Sequence, residues 1–574
     1  MEKRALIAVV LSVLVLVGYQ YLFVNPKMKN MPRNVANQGR EAQHNGINQA
    51  PPGELSREGG KGLSASSAPS VASVPSALPT GTQPGKPNEL KTGEAKPVEE
   101  AVEKLVTVDT PFYTAVVSSR GAVFTSFMLK MYREKDGRDI ILLKHDAGLS
   151  ALALGSGTDF NISRYNFTTT ASNLDLKKGQ TATIVFELKQ GAAAVKRTYT
   201  FSGDGYGIGL KDELSGLNGY YLTLGSDFNK ESVSSYGEHL GPVVLKDMDR
   251  MEFKADKKLD TSKTLTGDIK WIANETKYFC EAIVPVGKSY AAKAVEGQKA
   301  APGASPAQNP ETPGVQSGEA IVWKDGANAI AAYKSSSAVN EFLIYIGPKK
   351  YELLKSLNVD LEHIVDFGFF SIISRPLFWI LIFINRYVGN YGWSIIILTL
   401  VVRVPFIPLI TKGQSSMKKL QKIQPLMTAI REQYKKDPQR MQKEIMVLYK
   451  KHKVNPMGGC LPILIQIPVF FALYKVLLVA IELRGASWAF WIKDLASKDP
   501  LYILPIIMGI TMLIQQKMTP STMDPAQAKI MMFMPIIFTF MFLNFPSGLV
   551  LYWLVSNVLS ISQQFYVNKR PEIV

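Results

Sequence analysis

The placement of the apolar residues constrains the fold of this chain more than any other feature. Long uncharged runs occur near the N-terminus, at residues 5–24, and repeatedly after residue 366, while the region between them is polar. A water-soluble globule would have to bury all of these runs in one core, and a channel buried wholly in the bilayer would have no room for the polar region. The pattern therefore predicts a membrane-spanning protein with a large water-exposed part.

The first run predicts a membrane anchor over residues 1–24. Its 20 uncharged residues are enough to cross a bilayer core of ~30 Å as a helix. A cleaved signal peptide is the alternative, but the run is long for one and no small-x-small cleavage site follows it. Lys3 and Arg4 put the N-terminus in the cytoplasm by the positive-inside rule. Residues 25–101 lack aromatic side chains and are rich in Pro, Gly and Ser, which predicts a disordered tether.

Residues 102–350 have the pattern of a β-rich domain. Polar residues alternate with β-branched or aromatic residues at 112–117, 181–188 and 196–201, and Gly- and Asp-rich turns such as the one at 202–207 punctuate the region. Many short strands with such turns favour an antiparallel β-sandwich. On the orientation of the anchor, this domain lies outside the cytoplasm.

Five more apolar runs follow, each of near-spanning length. They occupy residues 391–411, 460–481, 500–516, 530–545 and 548–567. Residues 366–390 are also apolar but contain an Arg-Pro pair, and a span there would put the most basic segment of the chain outside. We therefore expect an interfacial helix at 366–390. This gives six spans, five of them in a helical core at 391–567, with a short cytoplasmic tail at 568–574.

The basic segment at 412–456 predicts a cytoplasmic helical hairpin. It contains 12 Lys and Arg against 3 Asp and Glu, and Asp437-Pro438 divides it. Met417, Leu420, Ile423, Met427, Ile430 and Tyr434 before the division, and Met441, Ile445 and Leu448 after it, follow helical spacing. The cations have two readings: they only fix topology, or they meet ribosomal RNA or an acidic nascent chain. The candidate contact residues are Lys418, Lys419, Lys422, Arg431, Lys435 and Lys436.

Arg403 is the candidate functional residue of the core. It lies inside the first core span, where a charge costs ~3 kcal/mol on insertion scales. No Asp or Glu occurs in the five core runs, so an intramembrane carboxylate cannot neutralise it. Arg403 therefore needs water, backbone carbonyls or a transient anionic ligand.

Further polar residues in the spans predict a hydrophilic cavity. On the last span they recur at three- to four-residue spacing and predict one polar face, and others lie in neighbouring spans. Ordinary interhelical hydrogen bonding is the alternative interpretation. The candidate groove residues are Thr399, Gln466, Trp553, Ser556, Asn557 and Ser560. Lys475, near the outer end of its span, is expected to extend its ammonium group to the interface.

Several chemistries are disfavoured. Two distant cysteines, Cys280 and Cys460, make neither a disulfide framework nor a cysteine zinc site, and the five histidines include no H-x-x-x-H pair. No phosphate-binding loop is complete. We therefore expect no metal, no cofactor and no enzymatic activity.

Four motifs accompany the intramembrane arginine: GWSII at 392–396, NPMGGC at 455–460, IQIP at 465–468 and FPSGL at 545–549. Together with Arg403, these motifs resemble the YidC/Oxa/Alb family of bacterial membrane protein insertases. The resemblance is specific over about 369–566. The anchor, tether and β-rich domain are similar to those of the Gram-negative members.

The resemblance implies a hydrophilic groove that is open to cytoplasm and lipid but closed outside, with Arg403 and Thr399 inside it and Trp553 at a position that is usually tyrosine. An apolar exit path would involve Phe470, Met508 and Met541. The outer domain would be a periplasmic super-β-sandwich related to sugar mutarotases, without implied catalysis. The implied partners are nascent membrane proteins, the ribosome, the Sec translocon (SecYEG, SecDF) and the lipid bilayer of the cell inner membrane, with no role for DNA.

Two other functions stay open on the residues alone. A secondary transporter or flippase could use Arg403 as an anion site, although no inverted repeat is evident. A sugar-modifying enzyme in the outer domain would have His145 and His239 as its only histidine bases between residues 102 and 350.

Overall fold

The computed structural model describes residues 102–569, apart from 135, 146–147, 218, 229–238, 257–258, 288–317, 453, 455–460 and 519–524. The predicted anchor, the tether, the motif at 455–460 and most of the tail lie outside the described residues. For 461–465 and 525–531 only the helical backbone is described.

Residues 102–350 form three β-sheets. The strands are β1 (Leu105–Asp109), β2 (Tyr113–Ser118), β3 (Val123–Arg133), β4 (Asp139–Lys144), β5 (Leu154–Gly155), β6 (Leu174–Asp175), β7 (Thr181–Gln190), β8 (Ala193–Ser202), β9 (Gly207–Ser215), β10 (Tyr220–Thr223), β11 (Gly241–Lys246), β12 (Asp249–Glu252), β13 (Lys263–Leu265), β14 (Ile269–Glu275), β15 (Phe279–Pro285), β16 (Glu319–Asp325), β17 (Asn328–Ser335) and β18 (Val339–Pro348). Their orders are β4-β3-β2-β1-β6, β13-β16-β17-β10-β5 and β12-β11-β14-β15-β18-β9-β8-β7.

The three strands predicted at 112–117, 181–188 and 196–201 are present as β2, β7 and β8, each within a few residues of the expected bounds. The predicted turn between β8 and β9 is also present. The described strand pairs are antiparallel with one exception, the two-residue parallel pairing of β1 with β6. The prediction of antiparallel strands is therefore correct for the described pairs except for β1 with β6.

The domain core contains a fully buried ion pair among aromatic side chains. Arg197 on β8 and Asp212 on β9 face each other across the ladder, and their two hydrogen bonds are both 2.8 Å long. Arg197 also donates to the Leu152 carbonyl at 2.8 Å, and the Tyr220 hydroxyl donates to Asp212 at 2.7 Å. Because every charged atom has a partner, the cost of desolvating the pair is offset.

Helices dominate after residue 350. They are α1 (Tyr351–Ser356), α2 (Ser371–Val388), α3 (Tyr391–Arg403), α4 (Ile407–Lys422), α5 (Gln424–Gln433), α6 (Pro438–Lys451), α7 (Leu461–Val479), α8 (Ile503–Met518), α9 (Pro525–Phe542) and α10 (Ser547–Lys569). A short turn at 543–546 separates α9 from α10.

Two of the described helical segments are long and apolar enough to cross a membrane, namely Ser371–Val388 and Tyr391–Lys422. The second joins α3 and α4 through a 3-10 turn, so the helix does not break at the expected boundary near residue 411. At ~1.5 Å per residue these 32 residues exceed a bilayer core of ~30 Å, so the helix extends beyond it. The number of spans and the interfacial position of 366–390 stay predictions.

The segment after α4 folds back on itself as the sequence predicts. Asp437 caps α6 by accepting a hydrogen bond from the Arg440 N–H at 3.1 Å, directly before Pro438. A separate small core joins α4, α5 and α6. Its buried members are Leu420, Ile423, Met427, Leu448 and Val454, with Met417, Ile430, Ile445 and Tyr449 packed against them.

Candidate functional site

Arg403 is the last residue of α3, and the 3-10 turn Val404–Phe406 follows it. Pro405 has no N–H for a regular helical bond, which explains the local tightening. The half-buried guanidinium reaches α10, where Nη1 donates to the Ser556 carbonyl at 3.0 Å and Nη2 donates to Ser560 Oγ at 2.7 Å. The arginine therefore connects two helices through neutral acceptors.

The charge of Arg403 has no carboxylate beside it among the described residues. The guanidinium has five N–H donors, and these two hydrogen bonds use two of them. Neutral oxygen atoms solvate a cation but leave its net charge uncompensated. The arrangement can therefore accept an additional anionic or strongly polar group, as the sequence predicts.

Gln466 and Tyr552 complete the polar cluster around Arg403. Gln466 Nε2 donates to Ser556 Oγ at 3.3 Å. The buried Tyr552 has its hydroxyl within hydrogen-bond reach of Gln466 and Ser556 and interacts electrostatically with Arg403. The sequence analysis missed Tyr552. It lies one helical turn before Ser556, so the spacing of the polar face contained the signal.

The polar residues of α10 lie on two faces, so the expectation of one face is wrong. Ser556 and Ser560 face Arg403, and Gln563 continues this side by donating to Thr411 Oγ1 at 3.0 Å. Asn557 instead donates to Thr511 Oγ1 on α8 at 3.2 Å. Adjacent helical residues point about 100° apart, which separates Ser556 from Asn557.

Thr399 and Trp553 were predicted to line the groove, but the structure gives their side chains other contacts. Thr399 is buried, and its hydroxyl donates to the Ile395 carbonyl of its own helix at 2.7 Å. Trp553 lies in an aromatic cluster, with its ring centroid 4.6 Å from Phe470 and 5.2 Å from Phe542. Neither side chain hydrogen-bonds to Arg403 in the described part of the chain.

The predicted apolar exit path is not one continuous surface. Phe470 is half-buried and packs on Trp553, and Met508 is fully buried. Met541 is 44% exposed and lies beside the more exposed Phe540 on α9. Of the three residues, Met541 alone is exposed.

Four of the six predicted hairpin contact residues are exposed, and two are half-buried. Lys419, Lys422, Lys435 and Lys436 are exposed. Lys418 donates to the Asn568 carbonyl at 3.0 Å, near the C-terminal end of α10, where a cation complements the helix dipole. Arg431 is half-buried.

Lys475 has a carboxylate partner, and the expected extension of its ammonium group to the membrane interface stays a prediction. Its side chain is 9% exposed, and Nζ lies 2.9 Å from Asp366 Oδ2. The sequence could not show this partner, because Asp366 precedes the helical core and is distant in the chain.

Three groups outside the core bear on metal binding and catalysis. Asp360, Glu362 and His363 bring ligand atoms within 4.8 Å of one another, a spacing that a metal ion could use. His145 Nδ1 lies 3.7 Å from Asp227 Oδ2. His239 is buried, which lowers its pKa below the usual value, and its Nε2 lies 3.1 Å from the Pro242 carbonyl. The two histidines of the proposed sugar-modifying site thus have separate protein partners.

Comparisons with known proteins agree on one family. The family model described as 60Kd inner membrane protein matches residues 383–572, and the one described as YidC periplasmic domain matches residues 105–380. Membrane protein insertase YidC of Geobacter metallireducens is 40% identical over 588 residues, covering 99% of this chain and 98% of that protein. Its namesake of Geotalea daltonii is 38% identical over 582 residues, covering 99% of each.

Two solved structures are also similar. A crystal structure of an active YidC insertase with its first transmembrane domain resolved covers 81% of this chain and 95% of its own, at 17% identity and a TM-score of 0.35. A galactose mutarotase-like protein from Lactobacillus casei covers 43% of this chain and 100% of its own, at 10% identity and a TM-score of 0.26. On the full-length relatives and both family models, the chain belongs to the YidC family of membrane protein insertases.

Proposed function

We propose that this chain inserts newly made proteins into the cell inner membrane by holding a polar substrate segment beside Arg403. The observation that carries the proposal is the charge of Arg403, which has neutral acceptors on α10 and no carboxylate among the described residues. A polar, often acidic, tail can supply the missing negative group. Ser556, Ser560, Gln466 and Tyr552 then act as exchangeable hydrogen-bond partners.

The energy for insertion comes from the substrate and the membrane. Burial of an apolar substrate helix in lipid contributes ~25 cal/mol per Å² of apolar area. A membrane potential that is positive outside favours outward transfer of an acidic tail by ~2.3 kcal/mol per charge per 100 mV. The groove lowers the barrier because its polar groups replace part of the water that the tail gives up.

The hairpin is the first contact with the substrate in this proposal. Its four exposed lysines are available to ribosomal RNA or an acidic nascent chain, and the ribosome and the Sec translocon are the proposed partners. The proposed topology has both termini in the cytoplasm and the β domain in the periplasm. This topology keeps the basic hairpin on the side that the positive-inside rule favours.

Depletion of the protein in its own host tests this function. Cells are complemented with the wild type, Arg403→Ala, Arg403→Lys or Ser560→Ala, and export of the outer tail of a small membrane protein is measured by protease accessibility. We expect Arg403→Ala to strand acidic tails inside and Arg403→Lys to restore part of their export. Ser560→Ala should have a smaller effect, because one hydrogen bond contributes ~1 kcal/mol.

Ser562→Ala is the matched control. Its hydroxyl donates to the Val558 carbonyl of its own helix at 2.8 Å, on an exposed side, so export should be unchanged. If Arg403→Ala exports acidic tails as well as the wild type, the electrostatic role is wrong. If depletion leaves insertion intact and saturable uptake of a small anion depends on Arg403, the transporter hypothesis replaces this one.

A further inference from the structure

The carboxylate of Asp366 lies between cations from two regions of the molecule. On one side, Lys475 of α7 places Nζ 2.9 Å from Oδ2. On the other side, Arg250 of β12 interacts electrostatically with the same carboxylate. Asp366 Oδ1 also accepts the Gly368 N–H at 2.8 Å, which fixes the orientation of the carboxylate. The residue thus connects the β domain to a helix of the core.

Arg250 belongs to a cluster of ion pairs in and next to the β domain. Arg250 donates to Glu252 at 2.6 Å and to Glu275, and Lys349 donates to the other oxygen of Glu275 at 2.7 Å. These two cations and two carboxylates form one chain of contacts, and His239 Nδ1 lies 3.8 Å from Glu252. The Asp366–Lys475 pair lies within electrostatic range of Arg250. Burial raises the pKa of Asp366, but Lys475 and Arg250 outweigh burial, so the pKa lies below its usual value.

The backbone beside Asp366 packs directly on the Lys475 side chain. Gly368 has a φ of +72°, and a Cβ at this position would lie 3.3 Å from Lys475 Cγ. The aliphatic part of the lysine is therefore enclosed as well as its charge. Rotation or tilt of α7 would have to break both contacts.

Lys475 lies on α7, the helix that also contributes Gln466 to the polar cluster around Arg403. Going from the outer end of α7 toward the cytoplasm, Lys475 comes first, then Phe470, then Gln466. Pro468 lies between Phe470 and Gln466 and removes a backbone hydrogen bond, which allows the helix to bend there. Phe470 lies between Lys475 and Gln466 along α7, and its ring centroid is 4.6 Å from that of Trp553 on α10. An anchored outer end of α7 would hold Phe470 in this contact.

A second contact between the β domain and the core serves as a comparison. Arg484, after α7, lies 3.3 Å from Glu134 and 5.6 Å from the ring centroid of Phe279. This contact is on the outer connection between helices, so it ties the regions together without holding α7 through its own side chains.

We propose that Lys475 is a positioning residue for insertion: through its ion pair with Asp366, in the segment that follows the β domain, it fixes the outer half of α7, and the Phe470–Trp553 contact then closes the groove toward the outside. This proposal rests on the proposed function for its role in insertion. The closure itself is a property of the protein without substrate and can be measured separately.

Labelling of Ser556→Cys from outside tests the closure in the full-length protein. A membrane-impermeant thiol reagent is added to the outer face of cells that carry Ser556→Cys alone or with Lys475→Met, Lys475→Arg or Arg484→Met. We expect Lys475→Met to raise the labelling rate about tenfold, equivalent to ~1.4 kcal/mol of lost closure. Lys475→Arg keeps the ion pair and should label slowly. Arg484→Met should also label slowly.

The double variant Asp366→Asn/Lys475→Met covers the case in which an unpaired Asp366 prevents folding. Because the two residues share one interaction, its labelling should equal that of Lys475→Met alone. Labelling that stays at the wild-type rate in Lys475→Met, or rises equally in Lys475→Arg, overturns the proposal. Arg403→Ala should stop export without changing this labelling, so failure of the proposed function and failure of the closure give different results.

Discussion

Arg197 in the β domain and Arg403 in the helical core are both at least half-buried, but they differ in whether a carboxylate lies beside them. Arg197 is fully buried and makes two hydrogen bonds to Asp212 and one to the Leu152 carbonyl. Arg403 is half-buried and has only neutral acceptors on α10. The first arrangement is closed to a ligand because each charge already has its counter-charge. The second is stable enough to fold and still able to bind an anion.

Lys475 and Arg403, two cations of the helical core, also differ in whether they have a carboxylate partner. Lys475 has a fixed carboxylate partner and holds a helix in place. Arg403, on the inner side of the aromatic contact, has none among the described residues. Pairing of a buried cation is therefore the property that separates the paired charge of Lys475 from the charge that we propose binds substrate.

The largest effect should follow from Arg197→Met. The substitution leaves Asp212 buried without its cation, which costs ~3–5 kcal/mol of unfolding free energy. Lys196→Met, at the neighbouring exposed position, should change it by less than ~0.5 kcal/mol. Urea unfolding of the purified full-length protein, followed by proteolysis of the β domain, measures both. Equal midpoints for the two variants would contradict the structural role of Arg197.

Glu281 is a fully buried carboxyl group of the β domain, and the described residues include no cation partner for it. Burial and the nearby Asp227 raise its pKa well above the usual value. Its contribution to stability is complete below its unfolded pKa and is lost as the pH rises toward the folded pKa. Relative to Glu281→Gln, the wild type should therefore lose stability between pH 5 and pH 9.

Denaturation at pH 5, 7 and 9 checks this expectation, with the exposed Glu187→Gln as the control. The difference between the wild type and Glu281→Gln should grow steadily with pH. Parallel pH profiles would mean that Glu281 is ionised in the folded protein and has a partner of opposite charge.

Arg403→Met should change the unfolding free energy less than Arg197→Met does. No buried carboxylate is left unpaired, and the lost hydrogen bonds go to neutral acceptors, so the unfolding free energy should change by no more than ~1 kcal/mol. The thermal midpoint of the protein in detergent measures this. A large loss of stability would show that Arg403 is a structural residue like Arg197, and the comparison would fail.

The smallest effect concerns Cys280. The thiol is fully buried and its pKa is raised by burial, so it should not react with a soluble thiol reagent in the folded protein. Mass spectrometry before and after denaturation checks this. Rapid modification of the folded protein would indicate that the β domain opens locally.

Much of the fold was predictable from local pattern. The strands β2, β7 and β8, the break at Asp437, the apolar helices and the exceptional position of Arg403 follow from hydrophobic periodicity, capping residues and the cost of an intramembrane charge. These signals arise from residues close together in the chain and from the solvent around them, so they can be recognised in a single sequence.

The surroundings of particular side chains were less predictable. Thr399 and Asn557 were assigned to the groove by residue type and position, with the family resemblance also pointing to Thr399, and Met508 was assigned to the exit path by the resemblance. The packing of the helices gives Thr399 and Asn557 hydrogen-bond partners other than Arg403 and buries Met508. Tyr552 was missed because its ring looks apolar in a sequence. A helical face is known only relative to the helices that pack against it.

The sequence by itself determined that this chain has a β-rich domain, a set of apolar helices and one arginine without an intramembrane counter-charge, since composition and periodicity fix those properties locally. Only the tertiary structure decided which partners the charges have. Asp366 reaches Lys475 and Arg250, and Asp212 reaches Arg197, because packing brings together residues that are far apart in the chain. Electrostatic interactions depend on these distances, so the fold decides which charges have a partner of opposite sign.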